Sequence, residues 1–449
     1  MITRRTLLQS SSAGFGWLAL QALHPQWAQA AAPPKTINPL APKPPHFPAR
    51  AKRVIFMFMQ GGPSHLDTFD FKPELVKAQE KKVAKYMGTA FDFKPRGQSG
   101  LMISDAFPEL AKCADDLCVL NGMQTRTNAH QMATVALHIG SETFVRPSMG
   151  AWIVYGLGSE AEDLPGFVTI NPVADTGGAM NYGSAFLPAS YQGTRLSTSG
   201  SGLPDLSNLR LSDAEQRKQI EFIQKANRRL LASDPGNPEL EGIIQSYELA
   251  YKMQTSVPDV LDLDREPAHI RALYGLDDAS TERFGTQCLM ARRLAEKGVR
   301  FIQLTSTGWD HHQKLREGLG TQAHSIDKPI AGLIADLKQR DMLKDTLLLW
   351  GGEFGRGSGY DNELYNGRGH NGRGYTMWMA GGGVKGGFTY GSTNEMGDTA
   401  ETGILTTHDL HATVLYLLGI HHERLTYRYS GRNFRLTDVH GEVAKDILA

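Results

Sequence analysis

The feature that most constrains the fold of this chain is a series of short, predominantly apolar runs that show no regular alternation with polar residues. The runs cover residues 54–59, 117–120, 167–170, 299–304, 346–350 and 375–380. Such runs are typical of strands buried on both faces, as in a sheet that helices cover on each side. The sequence therefore predicts an α/β protein.

Helical patterns lie between these runs, at residues 106–113, 214–231, 239–253, 281–297, 324–339 and 410–418. Strands and helices that alternate in this way predict a three-layer αβα sandwich. Residues 184–267 have few strand signals and two strong helical patterns. We therefore expect them to form a helical insertion at the rim of the sheet.

Residues 1–30 have the pattern of an export signal. Arg4 and Arg5 form a twin-arginine pair, an apolar run covers residues 13–23, and Ala28-Gln29-Ala30 has the form of a cleavage site. Because the apolar run is shorter than the roughly 20 residues that span a bilayer, we expect no stable membrane anchor. The sequence predicts export by the twin-arginine machinery to the periplasm or the cell exterior.

Residues 31–50 are rich in proline and predict an extended linker, which leaves residues 51–449 as one α/β domain. Lysine plus arginine and aspartate plus glutamate both total 47, so the net charge is zero and no nucleic-acid partner is expected.

Cys113, Cys118 and Cys288 are too few for a disulfide scaffold. Cys113 and Cys118 either pair with each other or remain free thiols.

Polar clusters follow four of the apolar runs, at the point where each predicted strand ends. The clusters are Ser64, His65 and Asp67; Thr125, Thr127, Asn128 and His130; Trp309, Asp310, His311 and His312; and Glu353, Arg356 and His370. In open α/β sheets, ligands bind at the carboxyl ends of the strands, so we expect the clusters to meet in one site. Carboxylates and imidazoles without sulfur donors predict a hard or borderline divalent metal ion.

Several of these residues also have an interpretation that assigns them no function. Residues 310–312 could form a solvated turn, and Glu353 could be a carboxylate that a helix N-terminus favours. His370 lies among glycines and could be an ordinary loop histidine, while Asp67 could bond turn amides. Residues 367–372 match G-x-G-x-x-G but precede a strand, so they do not predict a dinucleotide site.

Six stretches carry a resemblance to a known family: GGPSHLDTFD, RPSMGAWIVYGLG, TGWDHH, DMLKDTLLLWGGEFGR, MWMAGGGVKGG and HDLHATVLYLLGI, from about residue 53 to the C-terminus. The chain resembles the exported sulfatase-like family catalogued as domain of unknown function number fifteen hundred and one, which is placed in the alkaline-phosphatase superfamily. The resemblance implies a metal-binding αβα sandwich that hydrolyses phosphate or sulfate esters. It also implies metal ligands at Asp310, at His312 or His311, and at His370, with Glu353 in the late-strand ligand position. The nucleophile loop would fall near residues 125–130.

The sequence departs from that superfamily in three places. Gln60 stands where the first strand usually ends in aspartate, unless Asp67 reaches back to take that role. Phe354 stands in the place of a ligand histidine, and no C/S-x-P-x-R motif for formylglycine occurs in the sequence. We therefore expect one metal ion and a reaction that does not use formylglycine.

The sequence thus predicts an exported metal-dependent hydrolase of sulfate or phosphate esters, with an anionic small-molecule or glycan ester as substrate. One divalent ion, with zinc, calcium and manganese as candidates, is predicted to be held by Asp310, His312, Glu353 and His370. The predicted catalytic residues are His65 and His130 as acid or base, Asp67, Thr127 as nucleophile, and Arg356 as a clamp for the ester oxygens. The alternative is a non-catalytic periplasmic binding protein for anionic glycans on the same scaffold.

Overall fold

The computed structural model describes residues 38–83, 85–198, 210–234, 237–361 and 366–449. The predicted signal peptide, residues 1–30, and the start of the proline-rich segment lie outside the described residues. Residues 38–50 run along the surface of the α/β domain, where the N–H groups of Lys43 and Arg50 donate to the carbonyls of Leu157 and Leu417, each at 2.8 Å.

A central sheet organises the molecule. Among the described residues it contains nine strands: β1 (Arg53–Met59), β4 (Leu117–Gln124), β5 (Phe167–Ile170), β6 (Thr194–Leu196), β7 (Phe301–Ser306), β8 (Thr346–Gly351), β11 (Tyr375–Ala380), β12 (Phe388–Tyr390) and β15 (Leu405–Thr406). The strand order is β12-β4-β11-β8-β1-β7-β5-β6, and β15 also pairs with β4. All six predicted strands are therefore found in one sheet, with β1 at its centre.

Strand directions bring several strand ends together at one edge of the sheet. β1 is parallel to both neighbours, with Met59 opposite Ser306 of β7 and Phe58 opposite Gly351 of β8. β11 runs antiparallel to β4 and β8. The carboxyl ends of β1, β4, β7 and β8 therefore lie at the same edge as the amino end of β11.

Helices cover both faces of this sheet. The helices are α1 (Pro73–Glu80), α2 (His130–Ile139), α3 (Met149–Leu157), α4 (Asp213–Ser233), α5 (Pro238–Leu261), α6 (Ala268–Leu273), α7 (Glu282–Glu296), α8 (Leu315–Gln339) and α9 (Thr407–Leu417). Alternate residues of β1 pack into two separate cores. Ile55 and Met57 pack in the core that includes α7 and α8, whereas Phe56 and Phe58 pack in the core that includes α3 and α9. The predicted three-layer αβα sandwich is confirmed.

Short strand pairs and 3-10 helices lie outside the central sheet. Four further strand pairs occur in the described residues: β2 (Phe93–Arg96) with β3 (Leu101–Ser104), β9 (Gly355–Arg356) with β10 (His370–Asn371), β13 (Ser392–Thr393) with β14 (Ala400–Thr402), and β16 (Tyr427–Tyr429) with β17 (Arg432–Phe434). Short 3-10 helices cover His65–Asp67, Leu110–Asp116, Gly178–Asn181, Ala189–Tyr191, Leu263–Arg265, Leu343–Asp345 and Lys445–Ile447. The helix expected at residues 106–113 is thus a 3-10 helix that begins later.

Residues 184–267 contain the two helices that the sequence predicts, α4 and α5, which pack against each other. Ser212 and Glu215 form a capping box at the start of α4. The same segment also supplies β6, an edge strand of the central sheet.

The described residues bear on two expectations, on membrane-spanning segments and on the pairing of cysteines. No helix in the described ranges is both long enough and apolar enough to cross a membrane. Cys113, Cys118 and Cys288 are free thiols, so the pairing of Cys113 with Cys118 that the sequence left open is not formed.

Candidate metal centre

Two glycines end β1 and allow other segments to approach its carboxyl end. Gly61 and Gly62 have φ values of +119° and +72°, which glycine adopts without steric cost. A Cβ on Gly61 would lie 2.6 Å from the backbone nitrogen of Asp310, and a Cβ on Gly62 would lie 2.6 Å from the ring of Phe354. The loops that carry Asp310 and Phe354 can therefore pack directly on the end of β1.

Four polar side chains converge above this corner. His130 begins α2, Asp310 and His312 lie between β7 and α8, and His370 lies on β10. The Nε2 atoms of His312 and His370 are 2.9 Å apart, and they lie 2.9 Å and 3.1 Å from Oδ1 of Asp310. Nε2 of His130 lies 3.2 Å from Oδ2 of Asp310. Donor atoms of His130, Asp310 and His370 all lie within 4.8 Å of one another, and His312 adds a fourth donor beside His370.

Each of the three histidines is held by its other ring nitrogen. Nδ1 of His130 donates to Oε1 of Glu353 at 2.6 Å, and Nδ1 of His312 donates to Oδ2 of Asp361 at 3.0 Å. Nδ1 of His370 donates to the carbonyl of Asn128 at 2.8 Å. Because every Nδ1 faces an oxygen acceptor, the three Nε2 atoms are directed toward one another and toward Asp310. Histidines that bind metals are oriented in this way by hydrogen bonds on their far side.

The carboxylates create a strong negative field at this point. Burial lowers the pKa of His130, but the nearby carboxylates of Asp310 and Glu353 outweigh burial and raise that pKa to about 9. Burial also opposes ionisation of Asp310, yet close contacts with His130, His370 and Arg356 hold its pKa well below the usual range. The same field favours a bound cation.

The donor set fits a divalent metal ion. Nε2 of His130 is buried and has no hydrogen-bond partner among the described residues, because its approach to Asp310 is close but poorly aligned. Three imidazole nitrogens and one carboxylate are ligands that zinc and other borderline ions accept. The side chain of Asp310 is 42% exposed and that of His312 is 38% exposed, so one side of the centre faces solvent. An open side is typical of a metal that meets a substrate.

The predicted metal ligands lie together, with one exchange of roles. Asp310, His312 and His370 have donor atoms directed at the centre. Glu353, predicted to be a ligand, is fully buried behind His130 and also accepts the N–H of Gly61. His130, predicted as an acid or base, takes the inner position in its place. Glu353 therefore contacts His130 and does not itself direct an oxygen at the group of converging donor atoms.

Arg356 has a different position from the one that its predicted role as an anion clamp requires. Its side chain is fully buried, Nε donates to the carbonyl of Gly62 at 2.9 Å, and Nη1 donates to the carbonyl of Arg368 at 3.0 Å. Nη2 donates to Oδ1 of Asp310 at 2.6 Å and also to the carbonyl of Gly61. Because these donors are occupied inside the protein, Arg356 orients and neutralises Asp310 and does not face a substrate.

His65 and Asp67 also lie inside the protein, beneath the centre. Nε2 of His65 donates to the carbonyl of Gly397 at 2.8 Å, and burial lowers the pKa of His65. Asp67 forms a fully buried ion pair with Arg368, with Oδ2 2.8 Å from Nε. The acid–base role predicted for His65 and the catalytic role predicted for Asp67 do not fit these positions, because neither side chain reaches solvent or the metal ligands.

Thr127 lies close to the centre, three residues before His130, the first residue of α2. Its hydroxyl oxygen accepts the N–H of Ala129 at 3.1 Å, which stabilises the turn that leads into α2. Two other residues of this region, Asp361 and Arg368, carried no signal in the sequence. Arg368 contacts Asp67 across 301 residues of chain, a separation that no local pattern reveals.

Several solved structures are similar to the chain. They include the PsFucS1 sulfatase from Pseudoalteromonas sp., with 12% identity, 83% of this chain and 68% of that chain covered, and a TM-score of 0.37. They also include alkaline phosphatase from the Antarctic bacterium TAB5, with 11% identity, 82% and 98% covered, and a TM-score of 0.34. Phosphonate monoester hydrolase SpPMH from Silicibacter pomeroyi has 12% identity, 82% and 73% covered, and a TM-score of 0.33. At these scores no residue role is transferred from those proteins.

Comparison with curated proteins finds none that matches. A family model matches almost the whole of the α/β domain, over residues 51–448, and its description is "Protein of unknown function (DUF1501)". The match includes the corner after β1 and every donor of the candidate metal centre, which confirms the resemblance seen in the sequence. The chain belongs to this family, DUF1501.

Proposed function

We propose that the protein is a metal-dependent hydrolase of sulfate or phosphate esters that is exported to the periplasm or the cell exterior. The observation that carries the proposal is the set of three histidines whose Nε2 atoms surround Asp310 while each Nδ1 is held by an oxygen. A solvent-facing centre of this kind suits a reaction on a bound substrate better than a purely structural role.

The ligands in this proposal are His130, Asp310, His312 and His370, and the nitrogen-rich set favours zinc among the candidate ions. A divalent ion bound there would polarise an ester oxygen and lower the pKa of a bound water. Arg356 helps to keep the carboxyl group of Asp310 ionised. This ligand therefore does not have to lose a proton when an ion binds. The ring of Phe354, 4.6 Å from that of His370 and 4.8 Å from that of His130, walls the centre on its apolar side.

The route by a protein nucleophile has weaker support. No formylglycine motif occurs in the sequence, and the hydroxyl oxygen of Thr127 already accepts a hydrogen bond from the turn before α2. The proposed reaction therefore does not use the aldehyde hydrate that a formylglycine residue would form. Attack by an activated water requires only the ligands that converge at the centre, so this route is the one we propose.

Turnover assays on ligand variants test this proposal. We expect metal-loaded protein to hydrolyse at least one of an aryl sulfate, an aryl phosphate and an aryl phosphodiester, and a chelator to abolish that turnover. His370→Ala should lower kcat/KM by on the order of 100-fold or more, because a ligand is lost. Thr127→Ala, close to the centre but not at a proposed ligand, is the control and should keep most of the activity.

Two results would contradict the proposal. A covalent adduct on Thr127 would replace the water route by a nucleophilic one. Absence of chelator-sensitive turnover on all three ester classes would favour the alternative function, a non-catalytic periplasmic protein that binds anionic glycans on the same scaffold.

A further inference from the structure

A cavity of about 890 Å³ lies at the carboxyl end of β4, and its volume is within the size range of small-molecule sites. One wall of it consists of residues 124–126, at the end of β4, and of Arg373, just after β10. The same two segments build the centre. The N–H of Thr125 donates to the carbonyl of Gly372 at 2.8 Å, and the N–H of Gly372 donates to the side chain of Asn128 at 2.7 Å.

Two arginines on this wall, Arg126 and Arg373, are exposed and line the cavity. Within the described part of the chain, neither guanidinium makes an ion pair or a hydrogen bond. The third arginine of the cavity, Arg146, differs because it is paired with Asp438 at 3.2 Å. The part of the cavity wall formed by Arg126 and Arg373 therefore presents two positive charges that form no ion pair among the described residues.

The acidic side chains of the cavity are mostly engaged elsewhere. Asp438 also pairs with Arg432, and Glu423 lies 3.3 Å from Arg435. Asp409 accepts from the N–H of Glu442 and takes part in the capping box that begins α9.

Of the acidic side chains that line the cavity, those of Glu142 and Glu442 have no partner among the described residues. Carboxylates of this kind accept hydrogen bonds from hydroxyl groups, so the cavity suits a ligand that carries both hydroxyls and a negative group.

The two arginines are also close enough to the centre to act on one ligand. Arg373 follows His370 by three residues, and Arg126 precedes His130 by four. Extended chain advances at most about 3.6 Å per residue, so the Cα atoms of Arg373 and Arg126 lie within roughly 11–15 Å of the Cα atoms of His370 and His130. A ligand of one or two sugar-sized units can span that distance.

We propose that this cavity, defined by Arg126 and Arg373, binds a second oxyanion on a hydroxylated leaving group while the ester itself meets the metal centre. The proposal rests on the proposed hydrolase function and narrows its substrate class to esters that carry an additional phosphate, sulfate or carboxylate group. Guanidinium groups bind such oxyanions through paired N–H donors.

Binding of glucose 6-phosphate to the metal-loaded full chain tests the cavity without requiring turnover. Calorimetric titration at low salt should show that Arg126→Gln combined with Arg373→Gln weakens binding at least about tenfold, since two charged contacts are lost. Arg283→Gln is the matched control, because Arg283 is an exposed arginine of α7 that has no ion pair among the described residues. The control should bind as the natural chain does.

A third variant, His370→Ala, separates the cavity from the metal centre. Binding that is lost in His370→Ala but unchanged in the arginine double variant would place the anion on the ion and overturn the proposal, as would a natural chain that does not bind glucose 6-phosphate. If the protein turns over esters, the double variant should raise KM for glucose 1,6-bisphosphate and leave KM for an aryl phosphate unchanged. If it turns over none, the hydrolase proposal fails and the titration still decides whether the cavity binds oxyanions.

Discussion

At the scale of single residues, the centre depends on groups that do not touch its open side. Glu353 is fully buried between the N–H of Gly61 and Nδ1 of His130. Its Oε1 accepts from both groups and its Oε2 accepts from the N–H of Gly61, so the ring of His130 is held in one orientation. Replacing a residue that holds a ligand from behind typically lowers metal affinity by about 10- to 100-fold.

Glu353→Gln tests this dependence. The amide would place an N–H₂ group against one of the two N–H donors that the carboxylate now accepts, so His130 should lose its fixed orientation. We expect the dissociation constant for zinc to rise about 10- to 100-fold, measured by competition with a chromophoric chelator. Glu317→Gln, at an exposed position on α8, should leave it unchanged. Equal zinc affinity in Glu353→Gln and the natural chain would show that the contact does not orient His130.

The sequence predicts which residues gather at the strand ends better than it predicts which of them are exposed. Asp310, His312 and His370 were predicted as ligands and meet at the centre. Asp67 has the same residue type and a similar place after a strand, but it is buried against Arg368. A sequence pattern cannot separate these outcomes, because the partner that buries Asp67 is distant in the chain and its approach depends on tertiary packing.

At the scale of elements, α2 connects the metal centre to the core. Its first residue is His130, and two turns later His138 is buried against the rings of Phe56 and Phe58, with Nδ1 donating to the carbonyl of Thr134 at 2.7 Å. Burial lowers the pKa of His138 from 6.5 to about 4. The helix is thus anchored by a histidine that must remain neutral in the folded protein.

This anchoring predicts a loss of stability in acid. Because the pKa of His138 is lower in the folded state, the unfolded chain binds more protons between about pH 6.5 and pH 4, and stability falls as the pH falls through that window. Between pH 7 and pH 5 the contribution is about 2 kcal/mol. His138→Gln should reduce by about that amount the difference in unfolding free energy between these pH values, measured by urea titration.

The control for this measurement is His269→Gln, at an exposed position on α6, which should leave the pH difference as it is in the natural chain. The variant His138→Gln can be less stable at every pH without affecting the test, because the test compares two pH values within one variant. An unchanged pH difference in His138→Gln would show that another group is responsible for the acid sensitivity.

Elements with strong local signals were predictable, and those defined by tertiary pairing were not. The six apolar runs are all strands of the central sheet, whereas β15 has two residues and β12 has three, too few to show a pattern. The helix predicted at residues 324–339 begins earlier, at Leu315. Its first part contains Gly318 and Gly320, which disfavour helix locally, but packing of Leu315 and Leu319 in the core overrides that preference.

At the scale of the whole molecule, the centre joins three separate connections of the sheet. His130 follows β4, Asp310 and His312 follow β7, and His370 lies between β8 and β11. An ion bound by all of them would hold these connections together only in the folded state, since the ligands are far apart in an unfolded chain. Metal binding should therefore stabilise the fold by mass action.

Thermal and urea unfolding with and without zinc test this linkage. At a free zinc concentration about 100 times the dissociation constant, we expect the free energy of unfolding to rise by roughly 2.7 kcal/mol, and a chelator should remove the gain. Asp310→Asn should abolish most of the zinc effect, because it removes the carboxylate that lies within 3.2 Å of all three Nε2 atoms. Asp163→Asn, at an exposed position away from the centre, should keep it. Identical unfolding curves with zinc and with chelator would mean that the converging side chains do not bind this ion.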